Sequence, residues 1–178
     1  MIATQPKSTK NIDGYGFPPI EFDRAIAALD EIAGMPPTEP GTRYFLTTVR
    51  SDGGPHAMPV GILWHDGKFY FSAGAGTQKA KNIARDPRCV ITIAARGIDI
   101  VAEGEAVKVT DEAKVQRLAD AFGATAGGWH PTVKDGAFWH EYSAPSAGPP
   151  PWDLYEVTPT TMFGLATAEP YGATRWKL

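Results

Sequence analysis

The sequence predicts a mainly β protein in which short antiparallel strands close into a barrel interrupted by α-helices. The first observation is that RYFLTTVR, PHAMPVGILW and KFYFSA are separated by the turns SDGG and HDG, because Asp-Gly turns between apolar runs indicate β-hairpins. The second is that CVITIAA and IDIVAEGEAVKV are joined tightly through Arg96-Gly97, and the third is that DLYEVTPTTMFGLA and GATRWKL resemble strands at the C-terminal end. About seven hairpin strands at this spacing favour a barrel or a sandwich.

Helices are predicted between these strands. Residues 21–33 carry apolar side chains at helical spacing, namely Phe22, Ile26, Leu29 and Ile32. Residues 111–122 predict a second helix, with Thr110 or Asp111 as its N-cap. A short helix follows Thr77, and VKDGAFWHEYS over residues 133–143 is expected to form another.

The domain organisation is simple. The 178 residues are enough for one domain with a sizeable core, which we place at 21–178 after a flexible arm at 1–20. Residues 123–151 are rich in Gly, Pro and Ala, and a loop of that length in a compact domain points to a lid or binding segment.

Composition excludes several classes of function. A net charge of −3 argues against a general nucleic-acid binder, and no apolar run has the roughly 18 residues of a membrane span. The N-terminal residues lack the apolar core of a secretory signal, so we expect a cytoplasmic protein.

The cysteine and the histidines do not indicate reactive or metal-binding sites. The one cysteine, Cys89, lies in an apolar run and is expected to be packed and inert. The four histidines show no metal-ligand spacing, so no metal site is expected.

The most informative stretch is GTQKAKNIARDPR, residues 76–88. Thr77 can cap the first turn of a helix, yet Lys79 and Lys81 occupy that turn and no acid follows until Asp86. Cations at the positive end of a helix repel it unless an anion sits there. The pattern therefore indicates either a phosphate site or, as the simpler alternative, a solvated basic face.

The succession from RYFLTTVR to RDPRCVITI resembles the core of the pyridoxamine-phosphate-oxidase-like split β-barrel family, and the similarity resumes at WDLYEVTP and ATRWKL. The resemblance implies a homodimer with FMN or the deazaflavin coenzyme F-420 at the interface, although some similar proteins bind haem or tetrapyrroles. The sequence lacks an arginine-rich signature for a vitamin phosphate, so it is more similar to the actinobacterial branch of small flavin and deazaflavin reductases.

The resemblance also implies a set of site residues. Lys79 is implied as the phosphate cation, with hydrogen bonds from Thr77 and Gln78, and Asn82 lies one turn further on the same side. The residues implied to contact the ring and its chain, or to reach the cofactor from the C-terminal end, are His56, Met58, Pro59, Val60, Ser72, Ala73, Arg175 and Trp176. No residue is assigned a catalytic role, because in such proteins the cofactor carries out the redox step.

The aromatic residues within 123–151 are expected either to plug the end of the barrel or to form an apolar lid over a planar substrate, with Trp129 and Trp139 as substrate-binding anchors. Three classes of function remain open. The first is an F-420-dependent reductase of a conjugated small molecule, the second is an FMN-dependent oxidoreductase, and the third is a non-catalytic carrier of flavin, deazaflavin or haem.

Overall fold

The computed structural model describes residues 5–33, 43–125 and 127–178, and these form one antiparallel sheet with three helices. The strands are β1 (Ser8–Asn11), β2 (Arg43–Val49), β3 (Pro55–Val60), β4 (Leu63–His65), β5 (Lys68–Gly74), β6 (Arg88–Ala95), β7 (Ile98–Lys108), β8 (Thr132–Lys134), β9 (Ala137–Trp139), β10 (Trp152–Ala166) and β11 (Ala173–Lys177). The helices are α1 (Phe22–Ala33), α2 (Gln78–Arg85) and α3 (Glu112–Gly123), and a 3-10 turn covers Pro145–Ala147.

The sheet is organised around the long strand β10. The main path runs β1-β11-β10-β7-β6-β2-β3, while the first part of β10 also pairs with β5 and β9. At the other end of the path, β3 pairs with β2 alone among the described strands. The edge of β3 is therefore unpaired, and this opening positions the candidate site.

Two apolar clusters fill the fold. The larger lies inside the barrel, where α1 buries Phe22 and Leu29 against the inward-facing residues of β2, β6, β7 and β10. The smaller lies between the sheet, α3 and the β8–β9 hairpin, with Phe138 and Trp152 fully or almost fully buried. Cys89 belongs to the larger cluster, and burial raises the pKa of its thiol to about 12, as expected for an inert cysteine.

Two predicted segments differ in the structure. The expected flexible arm contains β1, because residues 8–11 pair in register with 174–177 and extend the sheet. The helix expected within 133–143 is wrong, because residues 132–139 form the β8–β9 hairpin. Asp135 and Gly136 form its turn with φ of 54° and 71°, the backbone conformation that a two-residue Asp-Gly hairpin requires.

The helix prediction over 111–122 is confirmed within one residue, and Asp111 is its N-cap.

A partly buried ion network joins α3 to the sheet. Glu156 of β10 accepts hydrogen bonds from the Lys68 ammonium at 2.6 Å, the Tyr70 hydroxyl at 2.9 Å and the Lys114 ammonium of α3. Burial by itself would raise the pKa of Glu156, but hydrogen bonds from Lys114, Lys68 and Tyr70 outweigh it and lower the pKa to about 2. The carboxylate therefore stabilises the folded state.

Glu156→Gln is expected to lower the free energy of unfolding by about 1–3 kcal/mol at pH 7, because two ammonium groups lose their anionic partner. The folded-state pKa lies below the ordinary glutamate value of 4.5, so the contribution of Glu156 is present above pH 4.5 and is lost as the pH falls towards 2. Thermal melts should therefore show the difference between variant and wild type narrowing over that interval.

Asp153→Asn is the control for this experiment, because Asp153 lies on the same strand and pairs with the more exposed Lys108 at 2.8 Å. Its cost should be below about 1 kcal/mol. A pH-independent difference between Glu156→Gln and wild type would contradict the assignment.

Candidate functional site

The N-terminus of α2 is built as the sequence indicates. The Thr77 hydroxyl donates to the Gly74 carbonyl at 2.8 Å and accepts from the Ala80 amide at 3.4 Å, which confirms Thr77 as the N-cap. The first-turn amides of an α-helix have no partner within the helix, and α2 carries no acidic residue in that turn. This end of α2 therefore presents uncompensated positive charge next to the end of β5.

Lys79 differs from an ordinary surface lysine, because only 3% of it is exposed. Its ammonium donates to the backbone carbonyl of Ser146, and no carboxylate among the described residues forms an ion pair with it. Burial lowers the pKa of Lys79, since the charged form loses hydration. The simpler alternative of a solvated basic face is therefore wrong for Lys79, although it describes the exposed Lys81.

A buried hydrogen-bond chain fixes α2 against the barrel. The Gln78 side-chain amide donates to Asn82 Oδ1 at 2.8 Å, Asn82 Nδ2 donates to the Thr48 hydroxyl at 2.9 Å, and that hydroxyl donates to the His56 carbonyl at 3.4 Å. Asn82 and Thr48 are almost fully buried. The buried Asn82 therefore holds the helix N-terminus in place and positions Lys79. Gln78 is exposed in the first turn of α2, and its predicted hydrogen bond to a phosphate stays a prediction.

The predicted residues of β3 lie at the open edge of the barrel. His56, Met58 and Val60 pair with Thr48, Leu46 and Tyr44, which are buried, so they lie on the inner face of the sheet. They are nevertheless only half-buried, because none of the described strands covers the far edge of β3. Pro59 is exposed on the outer face, and its carbonyl accepts a hydrogen bond from the Ser146 hydroxyl at 2.7 Å.

His56 lies at the opening, close enough to Arg50 and Lys79 to respond to their charges. Its Nδ1 atom is buried without a hydrogen-bond partner among the described residues. Burial lowers the pKa of His56, and the positive charges of Arg50 and Lys79 lower it further. The positive charges of Arg50 and Lys79 therefore lie close to the opening and keep His56 in its neutral form, and an anion there would offset the repulsion between the two cations.

Ser72 and Ala73 of β5 face opposite sides of the sheet. Ala73 is fully buried in the larger apolar cluster, so only its backbone can approach a ligand, whereas Ser72 is half-buried. Gly74 ends the strand, and a side chain there would lie 2.9 Å from the Pro149 carbonyl. Gly74 is thus one of the small residues that were expected to let a ligand approach the backbone, and in the structure it makes room for residues 144–150 of the same chain.

The two C-terminal residues do not act together. Trp176 is fully buried and packs edge-on against Phe22, with ring centroids 5.5 Å apart. A cofactor role for its side chain is wrong, because the ring fills the barrel core. Arg175 points to the outer face of the sheet, where its Nε atom is buried without a partner among the described residues.

Trp129 and Trp139 also differ from one another. Trp129 donates to the Tyr142 carbonyl at 2.8 Å and packs against Phe122, Phe138 and Trp152, so it extends the smaller apolar cluster. Of the two, Trp129 fits the expectation of an aromatic plug. Trp139 is half-buried, and its indole nitrogen has no hydrogen-bond partner among the described residues. The Lys134 ammonium lies 5.3 Å from the centroid of its ring.

Sequence reasoning missed Ser146, Gly148 and Thr48. Ser146 contacts Lys79 across 67 positions of sequence, which no local pattern encodes. Gly148 has a φ of 72°, and its position within AGPP was the one available signal of a special backbone. The described residues contain no group of three or more His, Cys, Asp or Glu side chains that could hold a metal ion.

Comparison with known proteins identifies the family. Residues 40–166 match the family model described as pyridoxamine 5'-phosphate oxidase. The chain therefore belongs to the pyridoxamine-phosphate-oxidase-like family, whose members are flavin-binding oxidoreductases, and the predicted split β-barrel class is confirmed. No curated protein matches the sequence.

Solved structures share the fold at low sequence identity. General stress protein 26 from Bacillus anthracis is 17% identical with a TM-score of 0.56, covering 87% of this chain and 99% of its own. PhzG from Burkholderia lata, solved with tetrahydrophenazine-1-carboxylic acid, is 16% identical with a TM-score of 0.55, covering 86% and 81%. A Clostridium acetobutylicum protein related to general stress protein 26 is 14% identical with a TM-score of 0.57, covering 89% of this chain and 97% of its own.

No helix in the described parts of the chain is long and apolar enough to cross a membrane.

Proposed function

We propose that this protein is an oxidoreductase that binds the deazaflavin coenzyme F-420 and transfers hydride to or from a conjugated small molecule. The observation that carries the proposal is the buried Lys79 ammonium at the N-terminus of α2, which has a carbonyl partner but no described anionic partner. A buried cation at the positive end of a helix suits a phosphate group, which both candidate cofactors carry on a ribityl chain.

The other side chains at the opening fit such a group. Arg50 adds positive charge, and the Nδ1 atom of the neutral His56 lacks a hydrogen-bond partner that a ligand would supply. Met58 and Val60 offer apolar surface on the inner face of the unpaired strand, suited to a flat ring. Lys79 and Thr77 would hold the phosphate, while Met58, Val60 and His56 would line the ring.

F-420 is proposed ahead of FMN on the sequence resemblance to the deazaflavin reductase branch. FMN is the second candidate, because the family to which the chain belongs binds flavins. When bound, either cofactor supplies the centre that accepts or delivers hydride. The chain itself positions the phosphate, shields the ring from water and orients the substrate.

Titration of the purified protein with F-420 and with FMN, followed by absorbance and fluorescence, tests the proposal. We expect saturable binding of F-420 tighter than that of FMN, and oxidation of reduced F-420 in the presence of a conjugated acceptor. Tighter binding of FMN with FMN-dependent turnover would replace the first candidate by the second. Saturable binding without turnover would indicate a carrier, and no binding of either cofactor would refute the proposal.

We also propose a homodimer, because the outer face of the sheet carries a row of partly exposed apolar residues. Paired residues of neighbouring strands share a face, so the apolar residues of this row are Pro59, Phe45, Val101 and Phe163, with Thr92 among them and Arg175 at the end. Phe45, next to the edge residue Pro59, is 40% exposed. A second copy seated on this row would cover the apolar residues and bring its Arg175 to the open edge of the barrel.

Sedimentation at micromolar concentration should give twice the chain mass of 19.1 kDa. Phe45→Lys should shift the protein to monomer, because an interface burying more than about 1,000 Å² is strongly destabilised by an unpaired charge among its apolar residues. Tyr15→Lys is the control, since Tyr15 is 91% exposed and lies outside the sheet. A wild-type monomer, or a dimer unaffected by Phe45→Lys, would contradict this interface.

We propose that Trp139 forms the substrate-facing part of the 123–151 segment, while Trp129 packs in the smaller apolar cluster. Trp139→Ala should raise the substrate KM or lower kcat while changing the cofactor affinity by less than about 1 kcal/mol, because its half-exposed ring is free to stack on a planar substrate. Trp129→Ala should mainly lower the melting temperature, because it removes part of the smaller apolar cluster. A large loss of stability in Trp139→Ala without a separate kinetic effect would refute the lid.

A further inference from the structure

Residues 144–150, here called the strap, lie across the opening of the barrel between β3 and β5. The strap contains the 3-10 turn and is tethered to the unpaired strand by the Ser146 hydroxyl, which donates to the Pro59 carbonyl at 2.7 Å. Its far end is held by the Trp152 indole, which donates to the Gly148 carbonyl at 2.8 Å. It has no strand partner in the described sheet, so it depends on these tethers and on side-chain packing.

The strap fits closely because two glycines remove side chains at its contacts. A Cβ at Gly74 would lie 2.9 Å from the Pro149 carbonyl and 3.1 Å from the Ala147 carbonyl. A Cβ at Gly148, whose φ of 72° already disfavours other residues, would lie 3.0 Å from the Thr77 methyl group. The strap therefore rests directly on the end of β5 and on the N-cap of α2.

The strap covers the cation that the proposed phosphate needs. The Lys79 ammonium donates to the Ser146 carbonyl in the strap, and the residue is only 3% exposed. A phosphate oxygen can reach this ammonium only if the atoms that cover it move. Strands β3 and β5 and helix α2 are each held by backbone pairing or buried hydrogen bonds, so the strap is the element that can move at the lowest cost.

We propose that the strap is a gate that closes over Lys79 and opens to admit the phosphate of the cofactor, whose oxygens then replace the Ser146 carbonyl on the ammonium. This inference rests on the proposed function, because it assigns the gate to the same phosphate site. Only the open form binds the cofactor, so the apparent dissociation constant equals the intrinsic value divided by the open fraction. The Ser146–Pro59 tether favours the closed form and thus weakens and slows cofactor binding.

Ser146→Ala tests the gate, because it removes the tether and leaves the backbone carbonyl that Lys79 contacts. We expect F-420 or FMN, whichever binds the wild type, to bind the variant about 2- to 12-fold more tightly, the change that corresponds to one ordinary hydrogen bond. The association rate should rise by a similar factor. Ser143→Ala is the matched control, since its hydroxyl makes no hydrogen bond with the described residues, and it should behave as wild type.

A second measurement needs no cofactor. Acetylation of the free protein with acetic anhydride, read by mass spectrometry, should modify Lys79 faster in Ser146→Ala than in wild type or Ser143→Ala. The exposed Lys81 in the same peptide is the internal reference and should react equally in all three proteins. Equal labelling of Lys79 in all three would overturn the gate, as would faster labelling with an unchanged rate of cofactor association. If neither cofactor binds wild type, the proposed function fails, and the labelling result alone then decides whether the strap opens.

Discussion

Replacement of Trp176 by alanine is expected to be among the most destabilising substitutions in this chain, at a cost of about 3–5 kcal/mol in the free energy of unfolding. The indole is fully buried, packs on Phe22 of α1, and occupies space that Gly164 leaves free. A Cβ at Gly164 would lie 2.6 Å from the indole ring, so ring and glycine are complementary. Removing the ring leaves a cavity between α1, β10 and β11 that neither strand can close.

Urea denaturation of Trp176→Ala and of Arg175→Ala provides the measurement and its control. Arg175 is the neighbouring residue of the same strand but lies on the outer face, so its loss should cost far less than that of Trp176. A Trp176→Ala protein with wild-type stability and weakened cofactor binding would contradict the core assignment. It would instead support the cofactor contact that the family resemblance implies.

The strands that pair through short turns could be predicted from the sequence. Asp66 and Gly67, with φ of 50° and 74°, form the hairpin turn that the dipeptide indicates. The same dipeptide at Asp135-Gly136 lies in the segment predicted to be a helix, although it carries the same backbone signal. The Asp-Gly turn is therefore stronger evidence for the local structure than the apolar pattern around it. The buried aromatic residue Phe138 reaches the smaller apolar cluster from a β-hairpin and not from the face of a helix.

Only those site residues that lie close together in the sequence could be predicted. Thr77 and Lys79 follow from cap chemistry and from the charge of one helical turn, and the structure confirms the cap and the uncompensated cation. Arg175 and Trp176 were grouped as one contact, yet adjacent residues of a strand face opposite sides, so the period of a β-strand already excluded a shared role. The strap could not be foreseen, because its contacts join residues 67 and 87 positions apart.

Lys79→Met is expected to have the largest effect on cofactor binding, a loss of about 1.5–3 kcal/mol, the range for a hydrogen bond to a charged group. Methionine keeps the length and apolar stem of lysine and removes only the ammonium. The free energy of unfolding should change by less than about 1 kcal/mol, because the lost bond to the Ser146 carbonyl is offset by no longer burying a charge. Cofactor affinity and stability should therefore respond separately.

Calorimetric titration with F-420 and FMN, run beside thermal melts, separates a phosphate ligand from a strap anchor. Lys81→Met is the matched control, since Lys81 lies in the same helical turn but is exposed, and it should change neither quantity appreciably. If Lys79 serves only to anchor the strap, Lys79→Met should lower the melting temperature and leave the affinity for both cofactors unchanged. A lysine ammonium that binds phosphate should also make the affinity depend on salt, because dissolved anions compete for it, and that dependence should be weaker in Lys79→Met than in wild type but unchanged in Lys81→Met.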